Sequence, residues 1–247
     1  MLHINDLTVK ILLKDNDGTL HNCGSGIMIV HDGVYFVLTA YHCLNEVDED
    51  EKVHPRPDEW RIELFTENGK ELKQKDVRED PDEDIAAIIV DKPDNHIDEN
   101  MVQLFTNTVS KEQYFFRGFP QVTNFEPHTF KVTYIDDDYW TFVNKEIDSG
   151  RKAGVELLEG SSGSGVVFSR REKMFVVGIV RALHDYYGSL NEFKVIPIEK
   201  FREFLPEEAF SSFSANMLED WQKGLDNDNT AKQIEELKKQ TARGTGQ

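Results

Sequence analysis

Three places in this chain hold residues that could do chemistry together. His42 closes the apolar run "VLTAYHCL", Asp84 opens "DIAAIIV", and Ser161, Ser162 and Ser164 lie in the glycine-flanked stretch "LLEGSSGSGVV". A serine hydroxyl is a weak nucleophile near neutral pH unless a base takes its proton. An imidazole serves best as that base when a buried carboxylate fixes its tautomer and stabilises the imidazolium. Taken alone, a histidine such as His42 is equally a core residue or a metal ligand. Asp84 is favoured over Asp82 and Glu83 because it directly precedes an apolar strand, whereas its neighbours belong to the solvated run "REDPDE". Glycines at 160 and 163 allow a tight turn that aims the backbone N–H groups of Gly160 and Ser162 at one spot, a loop shaped for an anion. A flexible linker is the bland alternative, but the strand-like "GVELL" and "GVVF" on either side argue against it.

Such side chains need rigid strand ends to hold them. The dipeptides Asp17-Gly18, Asp32-Gly33 and Asn68-Gly69 separate apolar segments and supply the positive-φ residues of two-residue hairpin loops. The segments so paired are "LTVKILL" with "TLHNCGSGIMIV", "GIMIV" with "VYFVLTA", and "WRIELFT" with "KELKQKDV"; "IAAIIV" makes a further strand. After the polar "DKPDNHIDEN" comes a second group of short strands: "QYFFRGFP", "FKVTYI", "YWTFVN", "GVELL", "GVVFSR", "MFVVGIVRAL" and "EFKVIPI". Two successive groups without a helical period between them imply an all-β protein of two antiparallel barrels or a sandwich pair. Beyond "IPIEKFREFLPEE", the apolar residues Phe210, Phe213, Met217 and Trp221 recur at helical spacing, and "TAKQIEELKKQTAR" reads as a charged helix able to dock a regulatory protein.

Composition narrows the function. The 247 residues are 38% hydrophobic, enough for a sizeable core, and 28 Lys+Arg against 46 Asp+Glu leave a net charge of -18. That balance argues against nucleic acid, whose phosphates need clustered cations. No stretch approaches the roughly 20 apolar residues that span a bilayer, and "MLHINDLTVK" lacks a signal-peptide pattern, so a cytoplasmic location with no membrane partner is expected. Cys23 and Cys43 are too few for a disulfide scaffold and lack zinc-site spacing, so neither metal nor cofactor is expected. The remaining histidines, His3, His21, His31, His54, His96, His128 and His184, read as solvated or hydrogen-bonded side chains.

In order and spacing, the three motifs resemble those of trypsin/chymotrypsin-like serine proteases, and the compact bacterial high-temperature-requirement type more than the secreted digestive one. "TAYHC" stands for that family's "TAAHC", "DIAAIIV" for its Asp-Ile-Ala-Leu strand and "GSSGSG" for its "GDSGGP". The resemblance implies a chymotrypsin-like fold of two antiparallel six-stranded β-barrels with a C-terminal helical tail. Residues 1–105 would carry His42 and Asp84, residues 106–205 would carry Ser162, and residues 206–247 would form the tail. It selects Ser162 over its serine neighbours as nucleophile, with His42 the general base, Asp84 its orienting carboxylate and the N–H groups of Gly160 and Ser162 the oxyanion hole.

The same resemblance implies a serine endopeptidase acting on extended protein segments, with Arg181, Ala182 and Leu183 forming the cleft edge and Glu156 at the base of the primary pocket. Glu159 would stand at its rim. Cys23 and Cys43 match the disulfide of secreted relatives and should lie close together, though reduced. Two departures stand out. Ser161 occupies the place where secreted members pair an aspartate with a freshly cut N-terminus, so the oxyanion loop must be held by other contacts or by a partner. Arg181 falls where a small hydroxyl residue is usual, beside Asp84, where it would compete with His42 unless its side chain turns away or the count slips by one. These departures keep two alternatives open, a catalytically silent binding module and a non-proteolytic esterase.

Overall fold

The computed structural model describes residues 2–48, 50, 52–94, 97–108, 112–136, 140–144, 160–170, 172–183 and 192–211. A four-residue helix, α1 (Ile4–Leu7), leads into β1 (Thr8–Lys14), β2 (Leu20–His31) and β3 (Val34–Ala40). There follow β4 (Glu46–Val47) and β5 (Val53–His54), which pair only with each other, then β6 (Arg61–Thr66), β7 (Glu71–Leu72), β8 (Gln74–Asp80) and β9 (Ile85–Val90). The second half contributes β10 (Val102–Phe105), β11 (Tyr114–Gly118), β12 (His128–Asp136), β13 (Thr141–Val143), β14 (Gly165–Arg170), β15 (Lys173–Leu183), β16 (Glu192–Pro197) and β17 (Phe210–Ser211).

All three glycine-containing turns close hairpins. β1 pairs with β2, β2 with β3 and β6 with β7, each antiparallel. Asp32 and Gly33 both have positive φ, 48° and 74°, as a two-residue turn between twisted strands requires. The first sheet runs β7-β6-β1-β2-β3-β9-β8. Its outermost strands β7 and β8 are separated in sequence only by Lys73, so the sheet has to roll until its edges meet. It is a half-barrel joined through the chain, not the six-stranded barrel expected. The segment "KELKQKDV" is consequently not one strand, because a backbone leaving β6 can complete the roll only by switching edges at Lys73.

The second sheet closes through hydrogen bonds. β14, β11, β12, β13, β16 and β15 follow one another, and β15 pairs back onto β14 to complete a six-stranded ring, with β10 and β17 added in parallel beyond β15. Phe210 therefore begins no helix: it extends along β10 opposite Leu104, whose free edge captures it. Of the expected helical tail, Glu207–Ala209 form a 3-10 turn before Phe210–Ser211, while residues 212–247, and the strand "GVELL", lie outside the described residues.

The two halves bury different side chains. The core around the first sheet is largely aliphatic, with Leu7, Val9, Ile11, Ile27, Val37, Leu38 and Ile88, and it is completed by Ile198, Phe201 and Leu205 from the C-terminal segment. The closed barrel is packed with Phe105, Tyr114, Phe116, Phe142, Phe168, Phe175 and Phe193 around valines. No helix among the described residues is long and apolar enough to cross a membrane.

Candidate active site

Strand register brings the first two groups together. β3 and β9 pair from Tyr35 opposite Val90 to Ala40 opposite Ile85, so the ladder stops where the chain before β9 and the chain after β3 stand side by side. Past Ala40 the backbone enters a 3-10 turn, Tyr41–Leu44, and Asp84 precedes Ile85 with a φ of 57°, a left-handed conformation that aspartate tolerates better than most residues. Tyr41 N donates to Asp84 O at 3.0 Å and His42 N to Asp84 Oδ1 at 3.1 Å. Thus fixed, the carboxylate faces His42 Nδ1, at 3.1 Å from each oxygen.

Burial works against the His42 imidazolium, but the adjoining Cys43 sulfur and the Asp84 carboxylate outweigh it and raise its pKa above the ordinary 6.5. Burial also opposes charge on Asp84, yet its bonds to His42 and the nearby Arg181 guanidinium hold its pKa below 3.8, so it remains a carboxylate.

The third group comes from the other half. Gly160–Gly163 form the turn before β14, with φ of 88° at Gly160 and 85° at Gly163. At Gly163 a Cβ would stand 2.0 Å from Ser25 O and 2.2 Å from Thr39 Oγ1, so the turn lies directly against the first sheet. Ser25 N donates to Ser162 O at 2.8 Å, and Gly163 N to Val180 O at 2.7 Å. Neither the Gly160 nor the Ser162 N–H donates to an acceptor among the described residues. The hydroxyls of Ser161 and Ser164 are buried without a hydrogen-bond partner there.

Arg181 neither turns away nor leaves the site. Its Nε donates to Asp84 Oδ2 at 3.0 Å, and its carbonyl accepts the Ser162 hydroxyl at 3.1 Å, which thus donates away from His42. A bulge, not a turned-away side chain, accounts for this placement. β15 and β16 change register between Val180 and Ala182, leaving Arg181 as the extra residue of a bulge. Such bulges re-aim a side chain, here toward Asp84. Ala182 and Leu183 pair with Lys194 and Phe193 of β16, while β14 leaves the other side of β15 after Ile179. Among the described residues, the edge of β15 from 181 to 183 is therefore unpaired on that side. Glu156 and Glu159 lie outside the described residues.

Supporting residues escaped the sequence reading. Asn22 Nδ2 donates to His42 O at 2.7 Å and Asn45 O at 3.0 Å, clamping the histidine turn. Ser25 touches the Gly160–Gly163 turn through both backbone and side chain. The only available signal was proximity in sequence to "CGSG", which names no partner. Cys23 and Cys43 are free thiols, and burial pushes Cys23 up to about 12, keeping it protonated and inert near neutral pH. Gly24 packs on Cys43, which would stand 2.7 Å from a Cβ there.

A family model for a trypsin-like peptidase domain matches residues 24–179, and the chain belongs to that family. Its fold is the chymotrypsin-like one. No curated protein matches the sequence significantly. Among solved structures, the serine endoprotease from Yersinia pestis superposes with a TM-score of 0.53 at 15% identity, over 81% of this chain and 61% of the other. The chain thus spans about three fifths of that protein's length.

Proposed function

We propose that this chain is a serine endopeptidase acting on extended protein segments, with Ser162 as nucleophile, His42 as general base and Asp84 as its orienting carboxylate. The observation that carries the reading is the His42 Nδ1 contact with both Asp84 oxygens, beside a glycine turn whose Gly160 and Ser162 N–H groups meet no acceptor among the described residues. A substrate strand laid along the open edge of β15 takes the Arg181 carbonyl through its own N–H. That releases the Ser162 hydroxyl to rotate toward His42.

Chemistry then follows from the groups present. Ser162 Oγ bonds to the scissile carbonyl carbon as its proton passes to His42 Nε2, and the oxyanion is met by the Gly160 and Ser162 N–H groups. Collapse breaks the C–N bond while His42 returns the proton to the leaving amine. Water, deprotonated by the same imidazole, hydrolyses the acyl-enzyme. Glu156 is the proposed acceptor for a cationic side chain before the cut, and a regulatory protein docking on the C-terminal tail is the proposed control.

One observation favours a second reading, a silent binding module: the resting Ser162 hydroxyl is engaged by Arg181 and not by His42. A fluorophosphonate probe separates the two. Labelling of the wild type that disappears in Ser162→Ala supports the peptidase, and a wild type that stays unlabelled while binding unfolded casein supports the module.

A further inference from the structure

Secreted relatives of this fold are expected to hold the nucleophile turn with an aspartate salt bridge, yet this chain has Ser161 at that place, buried and without a hydrogen-bond partner among the described residues. Something else must fix the turn, since donors aimed at an oxyanion contribute only if they are already in position. Among the described residues, the hydrogen bonds from the first half to the turn come from one residue, Ser25 of β2, which is fully buried. Its hydroxyl donates to Gly160 O at 2.6 Å and accepts from Phe119 N at 3.0 Å, so the hydroxyl hydrogen and a lone pair are both used. Its backbone N–H donates to Ser162 O at 2.8 Å, and its carbonyl accepts from Thr39 Oγ1 at 2.7 Å.

These bonds bracket the nucleophile. The carbonyls of Gly160 and Ser162 lie two residues apart on either side of the Ser162 N–H, and Ser25 holds both. With the peptide planes at each end fixed, the peptide that carries the Ser162 N–H has little freedom to turn away from the site. Phe119 adds rigidity from the second half: at Gly160 a Cβ would stand 2.4 Å from Phe119 O, so the turn is held from both sides. Thr39 anchors Ser25 in turn to β3, the strand that ends two residues before His42.

We infer that Ser25 is a positioning residue for the peptidase proposed above: its hydroxyl locks the Gly160–Ser162 turn in the oxyanion-binding conformation and ties it to the strand that delivers the general base. The inference rests on that functional reading. Ser25 touches no substrate and takes no proton; it acts through Gly160 and Ser162.

The test measures the second-order rate of labelling by diisopropyl fluorophosphate and the kcat and KM for unfolded casein, in the wild type, Ser25→Ala and Ser25→Thr, alongside thermal unfolding. Ser25→Ala should lower the labelling rate and kcat by about tenfold to a hundredfold, the scale of a displaced catalytic group, with KM nearly unchanged. Ser25→Thr keeps the hydroxyl and should recover most of the rate. Should Ser25→Ala fail to fold, Ser25→Cys, close in volume but a poor hydrogen-bonding group, takes its place with the same expected loss. Wild-type rates in the hydroxyl-deficient variant, or a rise in KM without loss of kcat, overturn the role of Ser25 and leave the peptidase reading standing. A wild type that is neither labelled nor active overturns both.

Discussion

The halves of this protein solve the same packing problem differently. The first sheet is rolled by its chain connection through Lys73 and packed with aliphatic side chains, whereas the second is closed by the β14–β15 ladder and packed with phenylalanines. In the second, Phe168 lies parallel to Phe175 with centroids 4.9 Å apart and edge-on to Phe105 and Tyr114 at 5.7 and 5.5 Å. Each half contributes what its closure suits. The rolled sheet presents two adjacent strand ends, which carry His42 and Asp84; the ring presents a glycine turn at the start of β14, which carries Ser162. The proposed site lies where the two abut, through Ser25 and Arg181.

The sharpest way to break that division is at the site itself. Ser162→Ala from one half and His42→Ala from the other should each reduce casein hydrolysis by about four to six orders of magnitude, and the double variant by little more, because both act in one step. Strictly additive losses would show that the halves do not share a mechanism. Folding should be unaffected by circular dichroism.

Next come the cores. Phe168→Ala should cost about 3–5 kcal/mol, and Ile88→Val, an aliphatic trim in the other half, about 0.5–1.5 kcal/mol. Denaturant unfolding followed by tryptophan fluorescence and far-ultraviolet circular dichroism measures both. A single shared transition would mark one cooperative unit, and two separated transitions two.

Between the halves, Arg117 of β11 makes a paired contact with Glu67, Nε to Oε2 at 2.6 Å and Nη2 to Oε1 at 2.8 Å, at 14% exposure on each side. Arg117→Ala should cost about 1.5–3 kcal/mol in the same unfolding experiment, the range for hydrogen bonds to charged groups. A loss below about 0.5 kcal/mol would show the contact to be a solvated pair.

The smallest effect concerns pH. The base proposed for His42 works only when deprotonated, and its pKa is raised, so kcat/KM should rise with pH along a limb that lies above 6.5. Arg181→Ala removes a half-exposed positive charge from Asp84, leaves the carboxylate freer to stabilise the imidazolium, and should move that limb further to alkaline pH. A limb at or below 6.5, or one moved to acid by the substitution, would contradict the geometry of the Asp84 contacts.

Local rules made much of the fold legible. Asp17-Gly18, Asp32-Gly33 and Asn68-Gly69 specify their turns through backbone conformations that few other residues adopt, and strand alternation marks what lies between. Asp84 could be separated from Asp82 and Glu83 because an apolar strand begins immediately after it.

What remained hidden depends on partners distant in sequence. The split of "KELKQKDV" at Lys73 follows from how far the sheet rolls, and the strand conformation of Phe210 from the free edge of β10, neither of which its own neighbours encode. Arg181 shows the limit most clearly. Its position in the count was readable, but the bulge against β16 that turns it onto Asp84 is a mismatch between two strands, and the hydroxyl of Ser25 gains its meaning only from Gly160, 135 residues away. Residue type and local period determined which groups were available for chemistry, while strand register across the two halves decided which of them meet, because a contact depends on both partners' positions and a sequence pattern reports only one.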